Sequence, residues 1–112
     1  LDSRTFNDIQ SKKIDYLKSK LNLENSKDDE KTFFKTKLDK LSMIDERLQI
    51  TKDDLDVYDS ILKIINEEKD AQIKTQSDLD TLKKKKKIKS LDIKVYEIDK
   101  QLELLEMYVK LQ

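Results

Sequence analysis

The chain has 112 residues, 43% of them charged and 36% apolar, with 24 basic and 24 acidic side chains and no Gly, Pro, Cys or His. Tight hairpin turns rely on Gly and Pro, so their absence argues against β-sandwiches and favours long helices with few connections. Lack of His and Cys removes the imidazole base, the thiol nucleophile and the disulfide, and zero net charge removes any global attraction for nucleic acid or an anionic membrane.

Residues 1–24 read as a short amphipathic helix. Phe6, Ile9, Ile14, Tyr16, Leu17, Leu21 and Leu23 recur mostly three and four apart, the spacing of one helical face. Asn22 and Asn25 then mark a loop, LNLENS. Ser26 opens the next helix with Asp29 three residues on, in the manner of a capping box.

Residues 26–74 carry a heptad repeat. Phe34, Leu41, Leu48, Leu55 and Leu62 take position a; Lys37, Ile44, Thr51, Tyr58 and Ile65 take d. Such a run is the signature of a coiled-coil seam. Thr51-Lys52-Asp53-Asp54 resembles Ser26-Lys27-Asp28-Asp29 and would suit a second helix start. A break there would give a four-helix bundle, whereas the unbroken heptad favours one continuous helix. Residues 66–78 are poor in apolar groups, with only Ala71 and Ile73 to bury, and the chain is expected to turn back near Lys74–Ser77 with Ser77 as the next cap.

Residues 77–112 carry the cleanest repeat. Ile88, Val95, Leu102 and Val109 take a; Leu91, Ile98, Leu105 and Gln112 take d. This frame differs from the upstream one, so the register is expected to change within Lys83–Lys87. A second apolar row, Ile93, Tyr96, Leu104, Met107, Tyr108 and Leu111, is available for helix 1 or for a partner.

Residues 26–80 hold ten basic and fifteen acidic side chains and residues 81–112 nine and five. Antiparallel packing of the two regions, or pairing with another chain, would let those charges compensate. Lys83, Lys84, Lys85, Lys86, Lys87 and Lys89 form a candidate basic patch. Five consecutive helical residues point in every direction, so at least one lysine must face the seam, its long stem reaching outward. Arg forks and stacking aromatics, the usual companions of a nucleic-acid site, are not nearby.

Carboxylate runs such as Asp28-Asp29-Glu30 and Asp53-Asp54 diverge by about 100° per residue on a helix and do not converge on a metal. No cofactor, metal or catalytic residue is expected, and no apolar run approaches the roughly 18–20 residues of a membrane span. A start at Leu1 rather than Met points to an excerpt of a longer chain, with room for a targeting segment outside it.

The expected architecture is all-α: a long-helix coiled coil, as a helical hairpin or three-helix bundle forming one structural unit. Its core and interface residues are Leu41, Ile44, Leu48, Leu55, Tyr58, Leu62, Ile65, Leu91, Val95, Ile98, Leu102, Leu105 and Val109. The expected role is a non-enzymatic oligomerisation or partner-docking module, a homodimer or hetero-oligomer, in an intracellular cytoskeletal, chromosomal or tethering assembly. The alternatives are a helical surface protein of an AT-rich microbe binding an extracellular ligand, suggested by 22 Lys against two Arg, and weak nucleic-acid binding through Lys83–Lys89.

Overall fold

The computed structural model describes residues 3–20, 27–70 and 75–112. Residues 21–26 and 71–74, which hold the LNLENS loop, its Ser26 cap, Ala71 and Ile73, lie outside the described residues, as does the Phe6 side chain. The protein is all-α. Three helices, α1 (Ser3–Lys20), α2 (Asp28–Asp70) and α3 (Gln76–Leu111), and no strand occur among the described residues.

The helix ends follow from their sequences. Asp28, Asp29 and Glu30 lie in the first turn of α2, and Lys18 and Lys20 in the last turn of α1. Both sets oppose the partial charge of the adjacent helix end. At the start of α3 the cap is Thr75, not Ser77. The Asp78 amide donates to Thr75 Oγ1 (3.3 Å), and the Thr75 amide and hydroxyl donate to the Asp78 carboxylate (3.4 and 3.0 Å). This reciprocal bonding uses an acid three residues after the cap; Ser77 has one too, in Asp80, but the helix already begins at Gln76 and Ser77 lies within its first turn. Helix α2 runs unbroken through Thr51, so the four-helix arrangement does not occur. The Thr51 side chain is buried, and its hydroxyl donates to the Arg47 carbonyl at 2.7 Å. A polar residue at a d position is thereby satisfied within its own helix.

The chain divides into two compact units, Leu1–Ser42 with Lys100–Gln112 and Met43–Asp99. The first, the terminal unit, holds α1 and parts of α2 and α3. Its core is Leu17, Phe34, Leu41, Leu104 and Met107, with Ile14, Phe33, Leu38, Tyr108 and Leu111 packed against it. Each such fully buried side chain contributes roughly 1.5–3 kcal/mol. Gln10 is buried here too, and its Oε1 has no hydrogen-bond partner among the described residues.

The second, the hairpin unit, pairs the rest of α2 with the rest of α3. Ile44, Leu48, Thr51, Leu62 and Leu79 are buried, and Leu55, Tyr58, Ile65, Leu82, Ile93 and Tyr96 are half-buried. Lys86 pairs with Asp59, and Lys89 with Asp54 at 3.3 Å. Partners that advance along one helix as they retreat along the other define an antiparallel pair.

The two faces of α3 are the reverse of the sequence expectation. Ile88, Leu91, Val95, Ile98, Leu102, Leu105 and Val109 are all exposed. Leu104 and Met107, expected on the spare face, are fully buried, and Ile93, Tyr96, Tyr108 and Leu111 are half-buried. Nor does the frame shift in the lysine run. Counting α3 in the frame of α2 gives Leu79, Lys86, Ile93, Lys100 and Met107 at d, all buried or half-buried, and Gln76, Lys83, Ser90, Glu97, Leu104 and Leu111 at a, of which Gln76 and Lys83 are exposed and the other four are buried or half-buried. The inner face is the more polar of the two because α2 offers it carboxylates. Asp54 and Asp59 take up Lys89 and Lys86, which an apolar count treats as misfits.

Candidate protein interface

The outer face of α3 is built from residues spaced alternately three and four apart from Ile88 to Val109. Every one of the seven is between 50% and 63% exposed. Ile88, Leu91, Val95 and Ile98 belong to the hairpin unit and Leu102, Leu105 and Val109 to the terminal unit; each group faces outward within its own unit. Isolated exposed apolar residues are ordinary, whereas a heptad-spaced set within each unit is a candidate contact surface.

In the terminal unit this face borders an open hollow of about 480 Å³ lined by Phe33, Leu105, Glu106, Val109 and Lys110. Phe33 carries two cations, with the Lys37 and Lys110 ammonium groups 5.6 and 5.4 Å from the ring centre. Beside it lies a polar cluster. Lys37 donates to Glu103 at 2.7 Å and to Glu106, and Lys40 lies 2.6 Å from the other Glu103 oxygen. Burial alone would raise the Glu103 carboxyl, but the hydrogen bonds from Lys37 and Lys40 outweigh it and hold the group below its ordinary value. Lys37 is correspondingly held above its ordinary value by its hydrogen bonds to Glu103 and Glu106, against the opposing effect of burial. These residues form a structural clamp between α2 and α3.

The lysine run divides by direction. Lys83, Lys84, Lys85 and Lys87 are exposed, while Lys86 and Lys89 turn inward to Asp59 and Asp54. Two of the six expected patch lysines are therefore neutralised within the hairpin unit. Among the described residues no group of acidic side chains could hold a metal, and no helix is long and apolar enough to cross a membrane.

Two features escaped the sequence reading. Lys37 stands at a d position of the α2 repeat, and a charge in a seam was the signal for the clamp with Glu103. Met43, Ile50, Val57 and Ile64, with Ile61, form a further exposed row on α2. Their seven-residue spacing is visible in the sequence beside the stronger a/d pattern.

The class that fold and surface define is a small all-α chain of long paired helices with an unfilled heptad face. Compared with family models, curated proteins and solved structures, the chain matches none.

Proposed function

We propose that this chain is a non-enzymatic association module, docking through the outer face of α3 onto a helix of another chain within a larger intracellular assembly of the cytoskeletal, chromosomal or tethering kind. The observation that carries the reading is the exposed row from Ile88 to Val109. A heptad over three turns of the repeat is selected by a helical partner and by little else. Its apolar groups serve neither unit's interior.

The experiment is the double change Ile98→Asp with Leu105→Asp in the full chain. Both positions are exposed, so helix content and thermal unfolding of the isolated chain should stay within a few degrees of wild type. Association should be lost, whether read as mass by light scattering or as proteins that co-purify from the source cell. An assembly indifferent to these two charges in both measurements would rule the reading out.

A further inference from the structure

The residues bordering the outer row of α3 are segregated by charge. With Ile88 and Val95 at a, the preceding g positions are Lys87 and Lys94 and the following e positions are Asp92 and Asp99. All lie in the hairpin unit, and none of these four forms an ion pair among the described residues. They are available to a molecule seated on the row.

We infer that the occupant is α3 of a second copy of this chain, running parallel and in register as a two-stranded coiled coil. This rests on the association reading above and adds partner, direction and number. In a parallel pair, each g residue lies beside the e residue five positions later on the other strand. Lys87 then meets the partner's Asp92, and Lys94 the partner's Asp99, and symmetry repeats both contacts. In an antiparallel pair, e faces e and g faces g, so aspartate would meet aspartate and lysine would meet lysine. The sequence thus favours one direction and disfavours the other.

The majority of the row leans toward two strands. Position a is β-branched at Ile88, Val95 and Val109 but Leu at 102, and position d is Leu at 91 and 105 but Ile at 98. β-Branched a with Leu at d, the pattern at five of these seven positions, favours two strands, and Ile98 with Leu102 opposes it. In the terminal unit the next g–e pair is Gln101 with Glu106. Glu106 already takes Lys37, which leaves the two pairs in the hairpin unit to set the direction. The exposed α2 row is a poorer match, because Arg47 and Asp54 stand between its apolar members where the alternate heptad positions would fall.

The test uses the full chain, which has no native cysteine. Wild type should have twice its 13.3 kDa mass in light scattering. Under mild oxidation Leu91→Cys should cross-link to itself, and a mixture of Leu91→Cys with Leu105→Cys should give no mixed disulfide. Lys87→Glu with Lys94→Glu should weaken self-association by about tenfold or more at low salt, and mixing that variant with Asp92→Lys, Asp99→Lys chains should restore it. A 91–105 disulfide, or a trimer or tetramer, overturns the inference while leaving the association reading intact. So does a monomer at every concentration whose co-purifying proteins are still lost with Ile98→Asp and Leu105→Asp. Wild type and that double variant behaving alike in mass and in co-purification overturns both.

Discussion

Glu103 is the residue on which the terminal unit depends electrostatically. Its folded carboxyl is held below the ordinary value, so its stabilising effect is full above the unfolded value of about 4.3 and is lost as pH falls through the lower folded value. Lys37, held above its ordinary value, acts in the opposite sense: its contribution is full below about 10.4 and fades as pH rises through the higher folded value. Glu103→Gln keeps the shape and removes the charge. It should cost about 1–3 kcal/mol in urea unfolding at neutral pH, with a smaller stability loss than wild type between neutral and acid pH. Gln10 makes a contrasting case, because its buried Oε1 lacks a partner among the described residues. Gln10→Met removes that desolvated carbonyl at similar volume and should raise stability by about 1 kcal/mol. A lowered melting temperature would show that the amide is bonded after all.

At the scale of the element, α3 carries two apolar stripes, and the central question is which one the chain uses for itself. Met107 and Leu105 lie two positions apart on opposite faces. Met107→Ala should cost about 2–5 kcal/mol. Leu105→Ala, measured on dilute chain, should stay within about 0.5 kcal/mol. Equal costs would mean that both faces are core. The all-α class and the inward face of α2 from Leu41 to Ile65 were legible because lack of Gly and Pro and an uninterrupted heptad point the same way. Helix α3 was not, because a heptad states that a stripe will be covered without stating by what. Ranking by apolar content chose Ile88 to Val109 for the interior. The chain instead turns inward the row containing Lys86, Lys89 and Glu103, whose charges are met by Asp54, Asp59, Lys37 and Lys40. That choice depends on pairs distant in sequence, which periodicity along one helix does not encode.

For the molecule as a whole, the proposed self-association couples stability to concentration. A dimer that buries the outer row should melt at a temperature that rises with protein concentration, as mass action requires, and Ile98→Asp with Leu105→Asp should make the melting temperature independent of it. The antiparallel pairing of α2 and α3 also sets an order of events in time. Asp59 and Lys86 are close neighbours in the chain compared with Lys37 and Glu103, which are 66 residues apart. Contacts that close short loops form at lower entropic cost than those that close long ones. The hairpin unit should therefore form early and the terminal unit late, so that the clamp around Glu103 is absent from the folding transition state. In stopped-flow kinetics, Glu103→Gln should leave the refolding rate almost unchanged and speed unfolding, whereas Leu62→Ala should slow refolding. The salt bridges of the terminal unit would then be late fastenings of that unit, setting how long its native state lasts rather than how fast it is reached.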